Sequence, residues 1–222
     1  MLFRSDRPIA ISLGDPAGIG AEVTLAALAH EPRPEPVVLV GCRRWLEDTY
    51  QRLRRVRPLR DPADCAIVDL PLSRPVEAGC SGAHEGDASF QWLTAATELV
   101  RQGRCQALVT APIAKASWHA AGHRYPGQTE RLAELAGVES AAMLFTARAP
   151  GGQWRLNTLL ATTHIPLAAV PERLNPELVR RQLETLLTFC RRFSPQPRLV
   201  VAGLNPHAGE GGNLGKIGRA HV

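Results

Sequence analysis

The chain has 222 residues, 45% hydrophobic and 21% charged, with a formal net charge of +5; this is the make-up of one large globular domain or two small ones, not of a disordered or fibrous chain. No apolar run approaches the roughly 18 residues that cross a bilayer, and the N-terminal MLFRSDRPIAISLGDP sets an acid and a proline where a signal peptide needs its apolar centre, so a cytoplasmic protein without a membrane partner is expected. The positive excess is dispersed arginine, densest at 43–60, where acids and apolar residues interleave as on a solvated helix face; with no recognised motif or aromatic platform, a nucleic-acid partner is not expected.

In chain order, short Val/Ile/Leu-rich runs alternate with helical patterns. IAISLG (9–14) reads as a strand and 18–30 as a helix; PVVLVG (36–41) as a strand and 43–55 as a helix; CAIVDL (65–70) as a strand. A helix over 87–102 follows, capped by Asp87 or Ser89, with Phe90, Leu93, Ala96, Thr97 and Val100 on one stripe. CQALVTAP (105–112) reads as a strand, 112–121 and 128–137 as helices, AAMLFTA (141–147) and RLNTLLATTH (155–164) as strands. Asn175 and Pro176, an N-cap followed by proline at the first helical position, introduce a helix over 175–192, and PRLVVAGL (197–204) closes as a strand. The alternation predicts an α/β fold with a mainly parallel sheet and helices on its faces, with an antiparallel excursion near 141–164 after the turn-like APGGQ. EPRPEP (31–36) and FSPQPR (193–198) read as rigid connectors. Five scattered cysteines without a Cys-x-x-Cys pair read as reduced and mostly buried.

Ligands in open α/β sheets gather beyond the carboxyl ends of the strands, and four segments there are unusual. LGDPAGIGAE (13–22) runs from a strand through three glycines into a helix; it is neither a dinucleotide fingerprint nor a Walker loop. A structural turn capped by Asp15 and a direct ligand contact are equally open readings. In VTAPIAKASWHAAGHRYPGQTERLAELAG (109–137), Thr110 and Lys115 follow a strand end, and Gln128, Thr129 and Glu130 stand at a helix start, where backbone N–H groups are free. Thr129 taken alone reads as an N-cap, and His119 and His123, without partners at metal spacing, as structural. His164 in ATTHIPL (161–167) and His207 in GLNPHAGEGG (203–212) each follow an apolar run beside fixed Pro and Gly backbone. Two such histidines suggest a shared divalent metal, but a catalytic ion usually has three protein ligands, and no third stands out.

Together, LGDPAGIGAE, LVTAPIAKA, PGQTERLAELAG, LLATTHIPLAAV and GLNPHAGEGG resemble the ordered signature segments of the 4-hydroxythreonine-4-phosphate dehydrogenase family of pyridoxine biosynthesis. The resemblance implies an α/β/α sandwich in two domains, like the isocitrate and isopropylmalate dehydrogenases, and a homodimer with active sites near domain and subunit boundaries. It implies NAD- or NADP-dependent oxidation of the 3-hydroxyl of a small phosphorylated substrate, 4-phosphooxy-threonine, to a ketone. The β-keto acid then loses carbon dioxide to give 3-amino-2-oxopropyl phosphate, on the way to pyridoxal phosphate. Motif match makes His164 and His207 two of three histidine ligands of a divalent cation (zinc, magnesium or cobalt), and Gln128 and Thr129 substrate-binding. Lys115 falls where the family carries a lysine in an APINK-like segment and is a candidate catalytic residue. The cofactor-binding residues are expected mostly in a continuation beyond this chain. A cation held by neutral imidazoles can lower the pKa of a substrate hydroxyl.

The chain departs from the family pattern twice. Gln128 stands where the family usually has His, and glutamine donates a hydrogen bond but supplies neither a proton nor a charge. Family members also continue beyond NPHAGEGG with the third histidine, so the 222-residue chain is expected to be C-terminally truncated and inactive by itself. Its domains are then expected at 1–110 and 111–215, the first completed by the absent part, with 216–222 a non-native tail. Ile217–Val222 matches the translation of ATC GGA AGA GCA CAC GTC, which resembles a sequencing-library adapter, and His221 is accordingly not counted as a ligand. The alternatives are a paralogue dehydrogenase acting on another phosphorylated hydroxy acid and a non-catalytic binding fragment.

Overall fold

The computed structural model describes residues 6–30, 36–139, 141–152 and 154–213. The expected non-native tail at 216–222 and most of the proline-rich connector at 31–36 lie outside them. The chain divides into two compact units, one running to Ala141 and one from Ala142, and each is described by itself.

In the first unit the aliphatic runs form β1 (Ile9–Ser12), β2 (Val37–Gly41), β3 (Ala66–Asp69) and β4 (Ala107–Thr110). They make one sheet in the order β3-β2-β1-β4. Every neighbouring pair is parallel, and Ile9 of the inner strand β1 stands opposite both Val37 and Ala107. The α/β class with a parallel sheet is therefore as the sequence predicts. Helices α1 (Gly20–His30), α2 (Arg43–Leu53) and α3 (Ala83–Arg101) connect the strands. Their inward faces bury Leu25, Leu46, Trp92 and Ala96 against Ala10, Leu39 and Val40 of the sheet. Each large side chain removed from water contributes about 1.5–3 kcal/mol, so this cluster supplies most of the unit's stability.

Helix α3 begins a turn earlier than expected. Glu85 reaches back so that its Oε2 accepts the Gly82 N–H at 2.9 Å, and the helix start is set there rather than by Asp87 or Ser89, the caps expected from the sequence. Asp87 instead pairs with His123 at 2.9 Å, and the Ser89 hydroxyl accepts the buried indole N–H of Trp118 at 2.7 Å. That indole belongs to α4 (Lys115–Ala120), which crosses α3 at Gly86: a Cβ there would collide with the Ser117 carbonyl oxygen. Helix α5 (Gln128–Ala136) follows and ends at Gly137 in the left-handed conformation, φ 68°, the usual glycine C-terminus. Both α4 and α5 thus pack with the first unit.

In the second unit β5 (Leu144–Arg148) and β6 (Arg155–Leu159) form an antiparallel pair with Leu144 opposite Leu159, the excursion expected near 141–164. Gly151 and Gly152 turn the chain between them at φ 83° and 74°. Beyond lie the short α6 (Val170–Arg173) and α7 (Pro176–Arg191), the latter capped as expected by Asn175, whose Oδ1 accepts the Leu178 N–H at 2.9 Å. The segment 197–204, expected to be a strand, is irregular. No strand pairs with it among the described residues, and Val200 is 85% exposed; an aliphatic run becomes a strand only where a neighbour satisfies its backbone. All five cysteines are free, with Cys42 and Cys105 buried, Cys65 and Cys190 half-buried and Cys80 exposed, so fewer are buried than composition suggests.

Candidate functional site

In the first unit the glycine loop after β1 packs against the end of β4. Gly14 takes φ 71°, and a Cβ on it would strike the Pro112 carbonyl oxygen, which accepts the Asp15 N–H at 2.9 Å. Asp15 is 6% exposed. Its Oδ1 accepts the Ala17 N–H at 2.9 Å and its Oδ2 accepts the Ser81 hydroxyl at 2.6 Å, while Ser81 shares a further hydrogen bond of 2.5 Å with Ser117. Both carboxylate oxygens are thereby used within the protein. Of the two readings of this loop, the geometry favours the structural turn. Ser81 and Ser117, which tie it to the starts of α3 and α4, escaped the sequence reading because hydroxyls 36 residues apart carry no pattern.

Beyond β4, Lys115 opens α4 and Gly127 caps α5 without any side-chain acceptor. The Lys115 ammonium stands 3.7 Å from where a Cβ of Gly127 would lie. The Glu130 Oε2 lies 3.5 Å from the same point, so a cation and a carboxylate both face the start of α5 beyond this strand end. Thr129 is the second helical residue rather than the N-cap, because Gly127 takes that place. Its exposed hydroxyl has no partner among the described residues. Gln128 is tethered: its Nε2 donates to the Ala111 carbonyl at 3.2 Å, and its Oε1 is enclosed without a partner. The amide cannot reverse, since that would set oxygen against oxygen.

An aromatic cluster holds this segment on α3. The Phe90 ring stacks on His123 at 3.7 Å and carries the Arg131 guanidinium at 4.6 Å. Arg131 also pairs with Glu134 at 3.0 Å. The hydroxyl of Tyr125 donates to Glu134 at 2.5 Å; this bond holds the Tyr125 pKa above its ordinary value and the Glu134 pKa below. His119 likewise meets the Tyr125 carbonyl at 3.0 Å, so both histidines read as structural have protein partners. Burial pushes the Glu85 pKa up, but hydrogen bonds from His84 and from backbone N–H groups, including Gly82, outweigh it and hold the carboxyl below its usual range.

In the second unit, His164 follows β6 and His207 lies in the 3-10 turn Pro206–Gly212. Both side chains are exposed and lack partners among the described residues. Their backbones are unusual: φ is 55° at His164 and 51° at His207. Left-handed backbone costs a residue with a Cβ about 1–2 kcal/mol, and such strain persists mainly at functional sites. Thr162, Thr163 and Ile165, beside His164, line an open cleft of about 650 Å³ with Arg173, Asn175 and Arg181. Neutral imidazole is the donor that suits zinc or cobalt, so the residue types fit such an ion. Among the described residues no three His, Cys, Asp or Glu side chains converge as a complete metal site, and no helix is long and apolar enough to cross a membrane.

Comparison with known proteins adds to this geometry. The family model described as pyridoxal phosphate biosynthetic protein PdxA matches residues 33–220. The 4-hydroxythreonine-4-phosphate dehydrogenase of Synechococcus sp. strain RCC307 is 62% identical over 209 residues, covering 93% of this chain and 63% of the relative. The D-threonate 4-phosphate dehydrogenase of Salmonella typhimurium is 36% identical, over 94% of this chain and 67% of the relative. Among solved structures, 4-hydroxythreonine-4-phosphate dehydrogenase from Klebsiella pneumoniae superposes with a TM-score of 0.83 at 35% identity, over 96% of this chain and 67% of that one. The chain thus spans a little under two thirds of the length of the Synechococcus relative.

Proposed function

The chain belongs to the PdxA family of pyridoxal phosphate biosynthetic proteins, and on that footing we propose that it is the larger part of a cytoplasmic, homodimeric dehydrogenase of vitamin B6 biosynthesis. The enzyme oxidises the 3-hydroxyl of 4-phosphooxy-threonine with NAD or NADP as hydride acceptor, and the β-keto acid releases carbon dioxide to leave 3-amino-2-oxopropyl phosphate. The observation that carries this reading is the coincidence of motif and strain: the two histidines that match the family's ligand positions are two of the three non-glycine residues with positive φ among the described residues.

His164 and His207 would hold the divalent ion through neutral imidazole nitrogens, with a third histidine supplied from outside this chain. A bound cation would supply charge stabilisation where the hydroxyl loses its proton and polarise the ketone during decarboxylation. The residues of the first unit bind and orient. Lys115 and the first N–H groups of α5 take an anionic group of the substrate, and the unpartnered Thr129 hydroxyl hydrogen-bonds to it. Gln128, held by the Ala111 carbonyl, keeps one N–H free for substrate but brings no charge.

Gln128 also supports a second reading, a paralogue acting on another phosphorylated hydroxy acid such as D-threonate 4-phosphate, the substrate in the name of the Salmonella relative. One experiment separates these readings. Joined to the C-terminal third of the Synechococcus relative, the chain is expected to reduce NAD or NADP with 4-phosphooxy-threonine in a manner abolished by chelation. Faster turnover of D-threonate 4-phosphate would favour the paralogue. A folded chimera idle on both would contradict the dehydrogenase assignment, and robust turnover by residues 1–222 alone would contradict the need for a third ligand.

A further inference from the structure

The loop that leaves β3 and the first turn of α3 bring together a row of three side chains that the dehydrogenase reading does not use. Glu85 is buried. Its Oε1 meets His84 Nδ1 at 3.0 Å, while its Oε2 is taken by the Gly82 N–H. His84 Nε2 in turn meets the Ser73 hydroxyl at 3.0 Å. Chemistry fixes the direction of both bonds. The Glu85 carboxyl is held below its usual range and is an acceptor only, so Nδ1 carries the imidazole proton and Nε2 presents its lone pair to Ser73. Ser73 is exposed, whereas the His84 side chain is 18% exposed, so the hydroxyl faces solvent with its base behind it. The guanidinium of Arg74, the next residue, lies 3.8 Å from Glu85 Oε1, and the Arg74 backbone N–H has no acceptor among the described residues.

We propose that Ser73, His84 and Glu85 form a second, hydrolytic centre that cleaves small acyl esters, with Ser73 as nucleophile, His84 as its general base and Glu85 positioning the imidazole. A nucleophile, a base within hydrogen-bond reach and a third group that orients the base are what such chemistry requires. Ser73 Oγ bonds to the ester carbonyl carbon as its proton passes to His84 Nε2. The bond from that carbon to the alcohol oxygen then breaks, and the alcohol departs with the proton. Water, losing a proton to His84, attacks the acyl-serine, and the acid leaves as Ser73 regains its hydrogen. Negative charge on the carbonyl oxygen has two donors on the next residue, the Arg74 N–H and guanidinium; the N–H of the residue after the nucleophile serves this way in α/β-hydrolases. Small esters are the class because Ser73, Arg74 and Pro75 are all exposed, which leaves the acyl group in water rather than in an apolar slot. The centre lies wholly in the first unit and is independent of the metal reading.

Hydrolysis of p-nitrophenyl acetate, and labelling by a fluorophosphonate located by peptide mass spectrometry, test this in the 222-residue chain and in the chimera described above. Both forms are expected to release nitrophenolate and to carry the label on Ser73. Ser73→Ala should lose both, His84→Gln should slow hydrolysis by about a hundredfold or more, and Glu85→Gln should lower kcat with KM unchanged. Neither Ser73 nor His84 belongs to the hydrophobic core, so both of their variants should melt as wild type, and Ser73→Ala should leave the chimera's NAD reduction intact. Hydrolysis that is equal in wild type and folded Ser73→Ala, hydrolysis unaffected by His84→Gln, or a label carried only by another residue would overturn the proposal.

Discussion

Gly86 and Glu85 show how single residues set the frame that carries the candidate substrate residues. Gly86 lets α3 and α4 touch backbone to backbone, and its missing Cβ would meet the Ser117 carbonyl. Gly86→Ala is expected to destabilise the first unit by about 1–3 kcal/mol through overpacking, read as a lowered melting temperature, with larger residues worse. Glu85 behaves differently because its effect depends on pH. Its folded pKa is held down, so its stabilisation is complete above the ordinary carboxylate range and is lost as pH falls through and below it. Glu85→Gln should flatten the acid limb of a stability profile; an unchanged limb would show that other carboxylates govern acid unfolding. Neither role was legible in the sequence: both residues stand before the helix start expected at 87. His164 and His207 stand out in the sequence by their motifs, whereas their positive φ needed dihedral angles.

Helices and strands divide by whether their determinants are local. Helix α7 was readable because Asn175 and Pro176 announce it, and the Asn175 cap bond forms; Asn175→Ala is expected to cost about 1 kcal/mol, seen as earlier loss of helical circular dichroism on heating. A cap without effect would mean that packing alone sets this helix. The α5 start was readable in position but not in detail, since Gly127 rather than Thr129 caps it. That exchange leaves the Thr129 hydroxyl exposed and without a partner among the described residues. The 197–204 run failed as a strand for a non-local reason: its aliphatic pattern is strand-like, yet nothing among the described residues pairs with it.

On the scale of the whole molecule, the parallel sheet and helices of the first unit and the antiparallel pair of the second followed from the alternation of apolar runs. The division after Ala141 did not, because the contact of α4 and α5 with α3 depends on Gly86, Trp118 and the Phe90 cluster rather than on any linker composition. Function rests on a different kind of signal, a set of short motifs in a fixed order, and its central claim is that His164 and His207 hold a divalent ion. Visible absorption of cobalt(II) added to the chain tests this most directly. The wild-type chain is expected to develop ligand-field bands that are lost in both His164→Ala and His207→Ala while both variants keep wild-type melting temperatures. Bands that persist unchanged in the two folded variants would contradict it.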